Sequence, residues 1–290
     1  MSHSTVLPLL GRNALITGVS RRRGIGFAVA RRFAGQGANV FIQHYSPHDV
    51  GQPWGDDKLT ELTAELRAAQ VPDARFGELS ADLGQPTSSE TVVKAAGAAL
   101  GRLDILVCNH ARSGSDGSIF EMTPEILDGH WAVNARSTLL LTRYFAEQFR
   151  PAVAQRTEPG VRQHREPQDE LATGRVIWMT SGQLDGPMPG EVSYAASKAS
   201  LAGLTGTVAS ELLSRGIILN TVNPGPVNTG YMDPDTADRP LEGLQKALKR
   251  LPFGRFGAPE DPARLISWLA SEDARWIIGQ VLTSDGGFRL

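Results

Sequence analysis

The sequence predicts an α/β fold in which one doubly wound parallel sheet carries helices on both faces. Three observations predict it. Short β-branched or aliphatic runs alternate with longer stretches of helical period along 290 residues. The run "LDILVCN" at 103–109 is apolar throughout, as a strand buried on both faces must be. The first strand gives way to the first helix through a glycine turn at 18–26, and right-handed crossovers between parallel strands place helices on both sides.

The elements follow in order. "NALITG" (13–18) reads as the first strand and "IGFAVARRFAGQG" (25–37) as a helix closed by Gly37, with "NVFIQH" (39–44) as the second strand. In "DKLTELTAELRAAQ" (57–70) Leu59, Leu62, Leu66 and Ala69 recur at helical spacing, and Pro72 lies just beyond. A strand over 74–79, a helix over 88–100, the apolar strand at 103–109 and a long helix over 124–149 come next. "GRVIWMTS" (174–181), "SYAASKASLAGLTGTVASELL" (193–213) and "IILNTVNPG" (217–225) continue the alternation. A capped helix at 259–271 and a last strand within 279–287 complete it.

No internal repeat or low-complexity linker divides the chain, so residues 1–290 read as a single domain. Two stretches break the rhythm. Residues 151–173 are polar, without a clear period, and read as an exposed insert. Residues 226–257 carry prolines, glycines and a short amphipathic piece, and their place after a strand's C-terminal end suits a substrate lid.

A formal net charge of −2 gives no reason to expect nucleic acid or an anionic membrane as a partner. Cys108 is the sole cysteine, which excludes an intrachain disulfide and a cysteine-rich metal site and suits a reducing compartment. The first ten residues lack the pattern of a secretory signal, and no run approaches the roughly 20 apolar residues of a membrane span. The expectation is a cytoplasmic protein that binds no metal.

Ligands of a doubly wound sheet sit at the C-terminal ends of its strands. There a glycine turn opening a helix offers free backbone N–H groups to a phosphate. The turn holds Thr17-Gly18, five residues, then Gly24-Ile25-Gly26; Val29 stands where a third glycine of the strict dinucleotide fingerprint would be. Inside it lie Arg21, Arg22 and Arg23, which either meet an anion or point into solvent. "SYAASKAS" places Tyr194 and Lys198 four apart, hence on one face of a helix. Ser181 ends a strand upstream, and Asn134 lies in "HWAVNARS" of the long helix.

The turn resembles the TGxxxGxG cofactor motif of the short-chain dehydrogenase/reductase family, lengthened by two residues, and Asn134, Ser181, Tyr194 and Lys198 resemble that family's catalytic tetrad. The resemblance runs from Thr17 to "SDGG" near the C-terminus, is most like 3-oxoacyl-carrier-protein reductases and related carbonyl reductases, and implies a Rossmann-like fold. It implies hydride transfer between a nicotinamide and a carbonyl or secondary alcohol. Tyr194 would be the general acid/base, with its phenol, ordinarily near pKa 10, drawn towards working pH by the Lys198 ammonium. Ser181 would donate to the substrate oxygen, Lys198 would also hold the nicotinamide ribose, and Asn134, on a locally irregular helix, would hold a water leading to Lys198.

For the cofactor the resemblance implies contacts from Gly18, Ser20, Arg21, Arg23, Gly24, Ile25 and Gly26, and from Tyr194 and Lys198. The family's usual acid at the end of the second strand, which favours NAD, is His44 here. With no carboxylate to repel a 2′-phosphate and guanidiniums nearby to attract one, NADP(H) is expected over NAD(H). Asp82 and Leu83 would meet the adenine, although Asp82 suits a helix cap as well. Asn109 matches the family's turn beside the cofactor, where Cys108, His110 and Ala111 depart from it. His110 faces the substrate or has no role.

"NPGPVNTG" (223–230) resembles the family's PG turn, implying cofactor contacts from Pro224, Gly225, Val227 and Thr229. Gln183, Leu184 and Met188 would line the substrate pocket with the lid. Lys246, Lys249, Arg250 and Arg255 form either a patch for an acidic carrier or a solvated lid face. A homo-oligomer, dimer or tetramer, is expected from the family's habit; the homotetramer is the specific expectation. Two other readings stand beside the enzyme: a nucleotide-sensing binding protein on the same scaffold, and an epimerase or dehydratase of the family's extended branch. The intact tetrad disfavours the first and the form of the glycine turn the second.

Overall fold

The computed structural model describes residues 7–149, 173–236, 246, 248 and 253–290. The insert at 151–172 and lid residues 237–245, 247 and 249–252 lie outside them, Lys249 and Arg250 included.

Seven strands form one parallel sheet in the order β3-β2-β1-β4-β5-β6-β7. They are β1 (Asn13–Thr17), β2 (Asn39–His44), β3 (Phe76–Ser80), β4 (Ile105–Cys108), β5 (Gly174–Met179), β6 (Ile217–Asn223) and β7 (Val281–Thr283). The helices are α1 (Ile25–Gly35), α2 (Ser46–Val50), α3 (Leu59–Ala68), α4 (Ser88–Leu100), α5 (Pro124–His130), α6 (Ser137–Gln148), α7 (Val192–Leu213) and α8 (Glu260–Ala270). The predicted elements are all present within a few residues, whereas the one-turn helix α2 was not foreseen.

Side chains alternate across each strand and divide the core into two layers. Ala14, Ile16, Val40, Ile42, Ile105 and Val107 face α1, α3 and α8. Leu15, Phe41, Leu106, Val176, Trp178 and Leu219 face α4, α6 and α7. This is why the central strands read as unbroken apolar runs. Strand order reverses between β1 and β4, so the crevice above these two strands is the expected ligand position. No helix among the described residues is long and apolar enough to cross a membrane.

The long helix predicted over 124–149 is not uniform. Thr123 caps α5, Pro124 opens it, and residues Trp131–Arg136 then form a π-helical turn before α6. Such a turn releases carbonyls from the regular ladder. Here side chains take them up: the Ser137 hydroxyl and the His110 ring bond to the Val133 carbonyl, and Thr138 Oγ1 donates to Asn134 O at 2.9 Å. The local irregularity expected at Asn134 is therefore present.

Candidate active site

The glycine turn folds back on itself more tightly than any side chain would allow. Gly18 has φ +71°, and a Cβ there would stand 2.7 Å from the His110 Cα. A Cβ on Gly26 would lie 2.4 Å from the Gly18 carbonyl oxygen and 2.7 Å from Asn109 Nδ2. Asn109 fastens the turn by donating to the carbonyls of Thr17 at 3.2 Å and Gly18 at 3.1 Å. Val29, in place of a third glycine, is buried in the core. Gly24 is the N-cap of α1; no side chain caps that helix and its first turn holds no acid. Its free N–H groups, with Ile25 and Gly26 beginning the helix, fit a dinucleotide phosphate.

The three arginines do not share a role. Arg21 pairs with Asp49 (Nε–Oδ1 3.1 Å), lies over Trp54, and donates to Thr229 O at 2.7 Å. Arg22 reaches the other way, to Asp57, Glu61 and Glu65 at 2.9–3.2 Å. Arg23 pairs with Asp233 at 2.7 Å, yet its side chain stays 61% exposed. Arg21, expected at the cofactor, is thus committed to protein groups, and Arg23 is the most open of the three.

Two expectations at the adenosine end need correction. His44 does not stand open at the strand end: its side chain is buried, with Nε2 2.5 Å from Glu78 Oε2 on β3. Nor is the turn free of carboxylates. Helix α2 folds back so that buried Asp49 accepts from Ser20 Oγ as well as pairing with Arg21. Strand-end alignment missed it because Asp49 lies five residues past His44. Asp82 accepts from Gly84 N at 2.8 Å and so caps its own turn, with Leu83 buried beside it.

At the C-terminal ends of β4 and β5 the structure gathers Lys198, Tyr194 and Asn134. Lys198 is buried and donates to the carbonyl of Met179, the last residue of β5, at 3.1 Å. Burial pulls its ammonium down to about 8. Its Nζ lies 5.9 Å from the centre of the Tyr194 ring, on the same face of α7. Ser181 lies two residues beyond the end of β5 and caps a short 3₁₀ turn, half-buried. Asn134 is buried, but its carboxamide is engaged: Oδ1 accepts from Arg112 N at 2.7 Å, and Nδ2 donates to Arg112 O at 3.1 Å and Ser197 Oγ at 2.9 Å. The side chain thus ties the loop after β4 to α7.

His110 does not face a substrate. It is buried with Nδ1 2.6 Å from Thr17 Oγ1 and Nε2 2.6 Å from Ser137 Oγ. Val133 O, an acceptor only, lies 3.0 Å from Nε2, which assigns the proton to Nε2 and leaves Nδ1 to accept from Thr17. Burial, aided by the nearby Lys198 charge, pushes the ring down to about 3, so it stays neutral. Burial likewise pushes the Cys108 thiol up, away from a reactive thiolate.

Sequence reasoning also missed Asp116, whose carboxylate accepts from the N–H groups of Ser193 at 3.0 Å and Tyr194 at 2.7 Å. Its one sequence signal was an acid followed by glycine in the loop after β4.

The loop after β6 crosses the same crevice. Gly225 has φ +62°, and a Cβ there would strike Asp285, so the turn after Pro224 requires glycine. Val227 is buried and pairs in parallel with Gly257. Thr229 is held by Arg21 through its carbonyl and, at 3.4 Å, its hydroxyl. The Gln183 carboxamide lies 3.0 Å from Thr180 Oγ1 in either amide orientation, turned towards β5 and α7. Met188 is half-buried, and the Leu184 side chain lies outside the described residues. Arg255 pairs with Asp261 at 2.6 Å.

Comparison with known proteins finds relatives over nearly the whole chain. A family model described as Enoyl-(Acyl carrier protein) reductase matches residues 18–289. The uncharacterized oxidoreductase YjdA of Bacillus subtilis (strain 168) is 35% identical over 289 residues, 99% of each chain. The 3-oxoacyl-[acyl-carrier-protein] reductase FabG of Thermotoga maritima is 30% identical over 279 residues, covering 96% of this chain and 98% of its own. Among solved structures, a short chain dehydrogenase from Burkholderia cenocepacia J2315 in complex with NADP superposes with a TM-score of 0.77 at 29% identity, covering 98% of this chain and all of that one.

Proposed function

The chain belongs to the short-chain dehydrogenase/reductase family and is an oxidoreductase; from that premise we propose that it interconverts a carbonyl and a secondary alcohol with NADP(H), using Tyr194 as general acid/base. The observation that carries the reading is the buried Lys198 ammonium lying 5.9 Å from the Tyr194 ring centre at the strand ends. A cation so placed, with little water to screen it, favours the tyrosinate and brings the phenol within range of proton exchange.

When bound, NADP(H) would supply or accept the hydride. Gly18, Gly24, Ile25 and Gly26 would hold its phosphates at the uncapped start of α1, and Pro224, Gly225, Val227 and Thr229 would contact it from the loop after β6. In reduction Tyr194 delivers a proton to the substrate oxygen as negative charge develops there. Ser181 donates a hydrogen bond to the same oxygen. Lys198 keeps the phenol acidic and holds the ribose, while Asn134 fixes the loop at Arg112. Gln183, Leu184 and Met188 border the substrate. Reduction of the kind for which the Thermotoga relative is named falls within this class.

NADP(H) over NAD(H) is supported by the NADP complex of the Burkholderia relative and by two features of the turn. Arg21 neutralises Asp49, and Arg23 keeps an exposed guanidinium for a 2′-phosphate. A homo-oligomer is supported by Leu127 and Trp131 exposed beside α7 and by Trp276 and Val281 exposed near the β7 edge; elution at the monomer mass in gel filtration would refute it.

The test is a fluorescence titration with NADPH and NADH, then a carbonyl screen with the preferred cofactor and Tyr194→Phe as control. The proposal expects tighter NADPH binding and turnover that Y194F abolishes. Binding of neither cofactor would overturn it.

A further inference from the structure

Helix α7 begins with an unsolved hydrogen-bonding problem. Its first N–H groups have no acceptors within the helix, and Glu191, the residue before it, caps none of them with its side chain. The loop after β4 supplies the missing acceptors. Gly117 O receives Val192 N at 3.3 Å, Asp116 Oδ1 receives Ser193 N at 3.0 Å, and Asp116 Oδ2 receives Tyr194 N at 2.7 Å. Asp116 Oδ1 also accepts from Gly117 N at 2.8 Å, which fixes the carboxylate's own orientation. Its side chain is only 6% exposed.

Tyr194 is therefore gripped through its backbone on both sides. Its N–H is held by Asp116, and its carbonyl accepts from Ser197 Oγ at 2.7 Å, itself held by Asn134 Nδ2 at 2.9 Å. A cap on a first-turn N–H ordinarily comes from the residue preceding the helix. Here it comes from a residue 78 positions away, and one of the groups it grips belongs to the reacting tyrosine.

We propose that Asp116 is a positioning residue for Tyr194: it fixes the tyrosine's place in the crevice, and its negative charge opposes the helix terminus and Lys198 in setting how readily the phenol gives up its proton. The inference rests on the general acid/base reading of Tyr194. The positive end of α7 and the Lys198 ammonium both favour the tyrosinate. A buried carboxylate on the first-turn N–H groups pulls the other way. His130 faces Asp116 from α5, with Nε2 4.0 Å from Oδ2 and no hydrogen-bond partner among the described residues, and its Nδ1 lies 3.1 Å from Ile126 O. Arg112 packs on α5 at Gly129, and His48 senses both Arg112 and His130.

The experiment is an ultraviolet titration of tyrosinate in the NADPH complex, whose binding energy holds a weakened variant in its native state. The chain has four tyrosines, so the Tyr194 signal is the difference between each protein and its Y194F counterpart. In Asp116→Asn the Tyr194 midpoint should fall by about half a pH unit or more, and Asp116→Glu should return it most of the way. An unmoved midpoint in D116N would overturn the proposal, because a cap with only a structural role leaves the phenol's titration where it was. Turnover of Y194F judges the acid/base reading separately: an active Y194F would end that reading, whereas the midpoint decides the influence of Asp116 whether or not a substrate is known.

Discussion

Arg21 donates to the main-chain carbonyl of Thr229 at 2.7 Å while its Nε pairs with Asp49 at 3.1 Å, so one guanidinium joins the glycine turn, helix α2 and the loop after β6. Arg23 reaches Asp233 in that same loop, and Arg22 reaches Glu61 and Glu65 of α3. The two-residue lengthening of the turn thus stitches it to its neighbours, and the three arginines separate on mutation. Arg21→Ala leaves the buried Asp49 carboxylate without its cation and should cost about 2 kcal/mol of stability and weaken both cofactors. Arg23→Ala should leave the melting temperature in place and weaken NADPH about tenfold relative to NADH. Arg22→Ala should leave both affinities unchanged. Thermal melts and paired cofactor titrations of the three variants check this, and equal effects of all three would refute it.

The sheet was legible because its central strands are buried on both faces, and such runs as "ILVC" resemble little else. The glycine turn and the Tyr194–Lys198 pair were legible because local spacing alone places them. What stayed hidden depends on contacts between distant segments. Asp116 lies 78 residues from the backbone group it caps, and Asp49 returns to Ser20 only because α2 reverses the chain. His44 was misplaced because alignment gives a residue's position along a strand but not which neighbouring acid claims its ring. A local irregularity at Asn134 was expected from resemblance, but its π-helical form and the partners that satisfy it, His110 among them, depend on other elements.

Glycines at two positions should respond oppositely to alanine. At Gly26 a Cβ would sit 2.4 Å from a backbone oxygen, and neither that carbonyl nor Asn109 can retreat without opening the turn. Gly26→Ala should cost about 1–3 kcal/mol and abolish detectable cofactor binding. Gly97, inside α4, has nothing within 4 Å of its would-be Cβ. Gly97→Ala should stabilise the protein by about 0.5–1 kcal/mol with cofactor affinity unchanged. Urea denaturation with cofactor titration tests both; a destabilised G97A or a cofactor-competent G26A would contradict the packing described.

His110 should appear in the acid limb of stability. Its folded pKa is pushed down to about 3 from an ordinary 6.5. Between those values the unfolded chain carries a proton that the native state refuses. Stability is therefore full above about pH 6.5 and drains as pH falls towards 3. His110→Asn removes this titration. It should be less stable near neutral pH by about 1–3 kcal/mol, having lost the bridge from Thr17 to Ser137, but its acid limb should be shallower than that of wild type. Parallel slopes from about pH 6.5 to 4 in urea titrations would count against a buried neutral ring.

Lys198 predicts a slope of the same sign at the alkaline end, separable from catalysis. Burial lowers its pKa from 10.5 to about 8. Below about 8 the native state bears the full penalty of a buried ammonium, since both states are protonated. Between 8 and 10.5 the unfolded chain keeps a proton that the native state has released, so stability relative to a chain without the lysine rises with pH. Lys198→Met keeps the apolar bulk and removes the charge. At neutral pH it should be more stable than wild type by about 2 kcal/mol, and the gap should narrow as pH approaches about 10. Turnover should fall at least about a hundredfold, because the phenol loses the cation that makes it a usable acid and base. Urea denaturation of both proteins at neutral and alkaline pH, with turnover on a carbonyl from the screen, provides the check. A K198M protein less stable than wild type at pH 7 would show that the hydrogen bond to Met179 outweighs the cost of burying the charge.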